Sequence, residues 1–509
     1  MGRRVDAWVQ EIISDFPERT AVVDSGRTVS YAELGAAADE VRILLEKAGV
    51  DPGGLVGIRM ARGWRVYAAV LGVWRHGCGY VPVDPSYPPA RQEYVLADAG
   101  VRTVVEAGEG DTFALCDAPS PSPSPSPSPS PSPRTGSPNV PPGTAYVIHT
   151  SGSTGQPKGV AVTHDSVTAF LDGFVERFAL GPDEVWAQST SPCFDVSVAE
   201  SWAPLVTGAR LLVVREAALR DPRRLARELV EGRATVLSQV PTVFRYLLDA
   251  AERTGTVFPD LRRVLLAGEP VERETVARWA ALGLSPDAAY HNLYGPTEAT
   301  VYATHQELTA DLLARQDGPG TPIGTAMPHV EAELLADGRP VADGETGEIH
   351  LSGAIADGYL GRPEQSARAF VRGIDGTVRY RTGDLALRER DGTLRYLGRA
   401  DRQVKLRGMR IELGEIEACL QSCPGVTAGA VVMVPSRRGE PMLAACYVLA
   451  DTADATGTEG RLRARLTTLL PSYMVPAKFV ELRAMPLTLS GKLDRKHLET
   501  LAGGHRGPR

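Results

Sequence analysis

Four short apolar runs, at residues 101–105, 210–214, 235–237 and 264–267, are each separated from the next by helix-patterned sequence, and this alternation restricts the fold more than any other feature. Runs of that length suit buried strands, and the intervening helices supply the crossovers that parallel strands require. The helix expected over residues 31–48 fits the same scheme, with Ser30 and Glu33 placed for a capping box and Gly49 just past its end. The pattern predicts an α/β layered architecture. A chain of 509 residues exceeds what one core usually serves, so a large domain plus a smaller one is expected.

Residues 150–159, TSGSTGQPKG, directly follow the apolar run at 144–148. Glycines let the backbone approach a polyphosphate, the hydroxyls of Thr150, Ser151, Ser153 and Thr154 can donate to its oxygens, and Lys158 adds positive charge. Gly159 follows Lys158 where a Walker A loop requires Ser or Thr, so this is a different kind of nucleotide loop. Taken alone, the loop reads equally well as a solvated linker.

Composition narrows the function classes. A net charge of -7 gives no electrostatic footprint for nucleic acid. No apolar run approaches about 18 residues, and the MGRRVD start lacks a secretory core, so a cytoplasmic protein with no membrane partner is expected. Six scattered cysteines, two of them (Cys419 and Cys423) four apart in an expected helix, suggest buried thiols rather than disulfides or a metal site. Residues 119–133 alternate Pro and Ser, which predicts an extended surface insertion.

Near Arg399 the character changes. Residues 394–408, LRYLGRADRQVKLRG, are strongly basic, and a helix near 413–422, a strand near 428–434 and a helix-rich end follow. This places a domain boundary at Asp401, giving domains 1–400 and 401–509.

The ordered series TVSYAEL (28–34), GCGYVPVDP (77–85), the loop at Thr150, FDVS (194–197), NLYGPTE (292–298), GEIHLSG (347–353), YRTGDL (380–385), the basic stretch through Arg407, PSYM (471–474) and SGK (490–492) resembles the adenylation domains of nonribosomal peptide synthetases, within the adenylate-forming ligases. The resemblance covers nearly the whole chain. It implies a large N-terminal domain of layered α/β subdomains and a small mobile α+β C-terminal domain. It also implies ATP and Mg2+ as cofactors, attack of a carboxylate on the α-phosphate, release of pyrophosphate, and transfer of the acyl group to a pantetheine thiol. Two anions must meet in such a reaction, so the site needs charge neutralisation and positioning.

By that resemblance, Thr150, Ser151, Gly152, Ser153, Thr154, Gly155 and Lys158 cradle phosphates, and Glu298 holds the metal. Gly268, Asn292, Tyr294, Gly295 and Thr297 line the nucleotide, with Tyr294 against adenine. Asp384 accepts from the ribose hydroxyls, Arg399 contacts the nucleotide, and Asp401 is the hinge about which the small domain turns. Thr150 and Glu298 join Lys492 in the catalytic set. The Lys492 ammonium bridges substrate carboxylate and α-phosphate; in the second orientation it swings away and the face around Lys405 and Arg407 enters the cleft.

Asp195 resembles the carboxylate that pairs with a substrate α-amino group; a helix cap is its other reading. Carried across by motif, the amino acid pocket comprises Asp195, Val196, Ala199, Ser238, Leu265, Ala267, Leu293, Val301, Tyr302 and Lys492. Its lining is apolar but for one hydroxyl, one phenol and the charged ends, which disfavours charged side chains. The run Leu265, Ala267, Leu293, Val301 resembles that of free-standing proline-activating enzymes, implying L-proline or a substituted proline. The acceptor implied is a separate phosphopantetheinylated carrier protein, with a small helper protein as a further partner of such enzymes. A D-alanine to carrier protein ligase, or an acyl-activating ligase with a different acid, is the alternative. Asp357 stands where the family commonly has Arg.

Overall fold

The computed structural model describes residues 3–119, 139–152, 156–314, 318–373, 375–401, 403–437, 439–450, 457–488 and 493–504. Lys492, with Ser153, Thr154 and Gly155, lies outside them, as does the Pro/Ser insertion beyond Pro119.

Six parallel strands lie side by side in the order Thr20–Asp24, Arg210–Val213, Val185–Gln188, Val236–Gln239, Arg263–Ala267 and Ala289–Tyr294. The expected strands are there, two of them displaced. Residues 101–105 become Thr103–Ala107, because the Val101 N–H instead closes the helix Pro89–Asp98 by donating to the Leu96 carbonyl. An apolar residue just past a helix end packs as part of the cap. The run at 235–237 becomes Val236–Gln239, carrying Ser238 into the strand.

The same sheet continues through antiparallel strands, among them Thr304–Glu307, Thr321–Ala326, Leu394–Arg399, Val378–Arg388 and Thr346–Gly353. A second sheet, of seven strands, contains the hairpin Thr144–Thr150 with Lys158–Thr163, in which Thr150 pairs with Lys158. Helices Tyr31–Lys47 and Trp64–Arg75 belong to the apolar core both sheets share. The Ser30–Glu33 capping box forms as expected. These two helices cross closely at Gly72, where an added Cβ would sit 2.5 Å from the Ala38 carbonyl oxygen and 2.6 Å from Val41 Cβ. Gly72→Ala is therefore expected to cost about 1–3 kcal/mol, read as a lower midpoint of thermal unfolding.

Beyond Asp401 the chain forms a hairpin, Gln403–Leu406 with Met409–Glu412, then the helix Leu413–Gln421 and a three-stranded sheet of Val426–Pro435, Pro441–Leu449 and Lys478–Glu481. The C-terminal end is thus mixed rather than helix-rich: Pro441–Leu449 pairs along Val426–Pro435, and both bury a face under the helix Arg495–Gly503. Four cysteines are buried, as expected, while Cys116 and Cys419 are only partly so. Among the described residues no helix is long and apolar enough to cross a membrane.

Candidate active site

Ligands of open α/β sheets sit beyond the carboxyl ends of the strands, and the register gathers the pocket residues there. Ser238 pairs with Leu265, and Ala267 with Leu293. Side chains alternate between faces along a strand, so Ser238, Leu265, Ala267 and Leu293 share one face, while Leu237, Val264 and Leu266 point into a separate core on the other. Val196 and Ala199 come from the helix Val196–Thr207, three residues apart and on one side of it.

Val301 and Tyr302 arrive on a strained turn. Thr300 and Val301 have φ of 54° and 74°, a conformation that is a genuine outlier for β-branched residues. It is held by the Thr300 hydroxyl donating to the Ala354 carbonyl at 2.8 Å and the Ala303 N–H donating to the Tyr294 carbonyl at 2.7 Å. Tyr302 then stacks on Phe174, and its hydroxyl lies 3.4 Å from that of Ser238. The two polar groups of the lining thus face each other.

Asp195 occupies the position before that helix, but its side chain makes no capping hydrogen bond. Burial pushes its carboxyl up to about 6, against the pull of a hydrogen bond from Thr297. This carboxylate lacks a full counter-charge beside an apolar pocket.

On the side where the nucleotide is expected, Asp384 is buried and pairs across the strands with Arg399. Its Oδ2 accepts from the Tyr294 hydroxyl at 2.7 Å and its Oδ1 from Arg399 at 2.8 Å. Each oxygen keeps a lone pair for a further donor. Arg399 also grips Asp401 through two bonds of 2.6 Å. The Asn292 side chain is committed to the Pro322 carbonyl, so it braces the wall. The Tyr294 and Tyr396 rings lie 6.1 Å apart, bounding with Gly268 and Lys405 a cleft of about 20 Å³.

Glu298 is fully buried and lies beside Lys158 at 3.6 Å, the Tyr359 hydroxyl at 2.9 Å and Arg410 at 2.7 Å. Burial alone would raise its pKa, but Arg410 and Lys158 outweigh it and hold the carboxyl at about 2. Lys158 also sits 3.9 Å from the Tyr359 ring centroid. Nearby, the Thr150 hydroxyl is buried without a hydrogen-bond partner. An ionised carboxylate and an unsatisfied hydroxyl are oxygen donors suited to a hard divalent cation. Among the described residues no cluster of three or more His, Cys, Asp and Glu side chains could hold a metal, so such a cation would depend on phosphate oxygens for the rest of its shell.

The small domain's hairpin fills this cleft. Its tip is the two-residue turn Arg407-Gly408, both at positive φ, as a tight hairpin requires. The Gly408 N–H donates to Glu269 Oε1 at 2.9 Å, and an added Cβ on Gly268 would lie 3.2 Å from Gly408 Cα. Lys405 lies 5.5 Å from the Tyr294 ring centroid. The Ser151 hydroxyl donates to the Arg410 carbonyl and accepts from the Glu412 N–H. Arg91 and Glu415 form a buried ion pair, and Phe194 meets Tyr473 edge to face. Lys405 and Arg407 are the residues expected in the cleft in the second orientation. Arg410, Glu269, Tyr359 and Tyr396 were not singled out beforehand, because a lone sequence shows no sign of which charges meet across domains.

A cleft at the strand ends, the hairpin of Thr150 and Lys158 beside a buried carboxylate, and a small domain inserted against both fit an adenylate-forming enzyme. The AMP-binding enzyme model matches residues 9–360 and its C-terminal domain model residues 415–492, so the chain belongs to the AMP-binding enzyme family. It is similar to syringomycin synthase SyrB1 of Pseudomonas syringae pv. syringae, 38% identical over 98% of this chain and 82% of that protein. It is 37% identical to a dimodular nonribosomal peptide synthase of Bacillus subtilis, covering 97% of this chain and 22% of that one. Holo-PA1221, a nonribosomal peptide synthetase protein with adenylation and PCP domains, superposes with a TM-score of 0.80 at 27% identity, over 97% of this chain and 84% of that one. Its enzyme class is accordingly that of the amino acid adenylating ligases.

Proposed function

We propose that this enzyme joins an amino acid to AMP from ATP, releases pyrophosphate, and passes the aminoacyl group to the phosphopantetheine thiol of a separate carrier protein. The observation that carries the amino acid assignment is Asp195, a carboxylate whose pKa burial raises to about 6, with no side-chain capping hydrogen bond, next in sequence to Val196 of the apolar lining. A substrate ammonium is the partner it lacks.

In this reading Asp195 orients the amino acid, and Tyr294 and Asp384 hold adenine and ribose. Lys158 and the phosphate loop draw charge from the polyphosphate, and Lys492 bridges the converging carboxylate and α-phosphate. Magnesium held by Glu298 would shield the phosphates from the incoming carboxylate. Asp401, fixed to Arg399, is where the small domain turns between the two half-reactions.

The side-chain pocket supports a proline-like substrate. Ser238 and Tyr302 face each other, leaving Val196, Ala199, Leu265, Ala267, Leu293 and Val301 to contact an apolar ring or alkyl group. A pyrophosphate-exchange panel of proline, 4-alkylprolines, D-alanine and the apolar and aromatic amino acids tests this. Proline-like substrates should head the ranking; preference for D-alanine would favour the alternative, and no exchange with any amino acid would end the reading.

A further inference from the structure

Thr150 and Lys158 pair across their hairpin, so the loop between them begins and ends at one rung of the ladder. Both ends are also held from outside the hairpin. Pro157 is buried and, having no N–H, offers only its carbonyl as a backbone polar group. That oxygen accepts from the Tyr94 hydroxyl at 2.9 Å and from Arg362 Nη2 at 3.0 Å, which engages both its lone pairs. The same Nη2 lies 2.7 Å from Asp98 Oδ1 and 2.9 Å from the Tyr94 hydroxyl oxygen. Asp98 Oδ2 in turn accepts from His149 Nε2 at 3.1 Å, since a carboxylate can only accept. Asp98 thus ties the two ends together: His149, just before Thr150, directly, and Pro157, just before Lys158, through Arg362.

The parts come from separate pieces of the large domain. Tyr94 and Asp98 stand four apart on the helix Pro89–Asp98, hence on one side of it. Arg362 follows the short strand Gly358–Tyr359, which pairs with Val160 and Ala161, and the Leu360 N–H donates to the Gly159 carbonyl at 2.8 Å. Tyr359 of that strand is also the residue whose hydroxyl reaches Glu298 and whose ring lies under Lys158. With side chains 9% and 15% exposed, Asp98 and Arg362 are not a solvated surface pair. Removing Arg362 would leave the buried Pro157 carbonyl with a single partner and break its link to Asp98.

We propose that Arg362, Asp98 and Tyr94 form a clamp on the Pro157 carbonyl that positions the next residue, Lys158, for the β- and γ-phosphates of ATP. The inference rests on the reading of this loop as the polyphosphate site of adenylation. None of the three touches the reacting atoms; they are positioning residues, and a displacement of about 1 Å at the group they hold is enough to cost up to about 100-fold. Their influence is confined to the half-reaction that handles the polyphosphate. An aminoacyl adenylate has already lost its pyrophosphate, so thiol attack on it asks nothing of where Lys158 stands.

The test takes the amino acid that heads the pyrophosphate-exchange panel, varies ATP and that amino acid in turn, and separately follows AMP release from its preformed adenylate with free pantetheine as the thiol. In the full-length chain, Arg362→Met should raise KM for ATP about 10-fold or more, leave KM for the amino acid within about 2-fold, and turn over the adenylate at close to the wild-type rate. Arg362→Lys keeps the charge without the planar fork and should fall between. Tyr94→Phe removes one oxygen atom and serves if the Arg362 variants fold poorly; it should raise KM for ATP about 3-fold. Combined with Arg362→Met it should add less than its own factor, because both act on one carbonyl. KM for ATP unchanged in Tyr94→Phe and Arg362→Met would overturn the clamp. So would equal losses in ATP use, amino acid use and adenylate turnover, which mark a role in stability alone. Wild-type exchange separates this claim from the one it rests on: where it is present and a variant gives either of those results, only the clamp is lost, and where no amino acid supports it, the adenylation reading falls and the clamp with it.

Discussion

Lys492→Ala should lower amino-acid-dependent exchange of pyrophosphate into ATP by at least about 100-fold, the effect of losing roughly 3 kcal/mol of charge stabilisation. The assignment comes from the SGK sequence at 490–492, since Lys492 itself lies outside the described residues. The cleft adds a physical reason. What stands in it here is the small domain's hairpin, with Lys405 against Tyr294 and Arg410 on Glu298. Arg410 is committed to Glu298 and Lys405 lies over the Tyr294 ring, so in the proposed mechanism the adenylating orientation brings in another cation. The loss should be selective: given preformed aminoacyl adenylate, the variant should load the carrier with a far smaller deficit, because the proposed transfer step has Lys492 swung away and the Lys405 face in the cleft. Exchange at the wild-type rate would remove Lys492 from the mechanism.

Much of this arrangement could be read from residue order, and what could not has a common cause. The strand that leads to Thr150 was legible as an apolar run before a glycine and hydroxyl loop, a local property, whereas its pairing with Lys158–Thr163 was not. The capping box at Ser30 and Glu33 was legible too. The pocket face was legible in part: residues of one parity on neighbouring parallel strands necessarily share a side, but the register that sets Ser238 beside Leu265 exists only in the folded sheet. Val301 could be named by motif, whereas its strained backbone could not, since nothing in ATVYA marks a positive φ.

Least legible were the contacts between domains. Arg410 follows the five basic residues of the 394–408 stretch, Lys405 and Arg407 among them, and its pairing with Glu298 spans 112 positions. Charge in sequence says little about which partner it finds once two rigid bodies meet. The Arg91–Glu415 pair spans 324 positions and gave no sequence signal for the same reason. Asp357 stays exposed at the surface, and nothing in the structure explains its departure from the commoner Arg.

Asp195→Asn should abolish most activation of the preferred amino acid, by about 100-fold in kcat/KM, while making the protein slightly more stable. Both effects follow from one cause. Burial raises the carboxyl from its ordinary 3.8 to about 6, opposed by the Thr297 hydrogen bond and Arg410 and assisted by the nearby Glu298. An acid whose pKa is higher folded than unfolded costs nothing below the unfolded value, and its charge penalty is complete above the folded one. At pH 7.5 the wild-type protein therefore carries that penalty, roughly 1–2 kcal/mol after allowance for its partial exposure. Asparagine removes it, so the variant should melt at a higher temperature at pH 7.5 and lose this advantage below about pH 4. In the proposed mechanism the substrate ammonium relieves the same penalty in the wild type, and the penalty thereby becomes selectivity for amino acids. Accordingly, wild-type kcat/KM for the amino acid should fall as pH drops through about 6, where the free enzyme takes up the proton, and the residual activity of Asp195→Asn should show no such step. A helix cap would behave in the opposite way, since its removal lowers stability and leaves turnover intact. A variant that melts lower yet turns over normally would return Asp195 to that structural role.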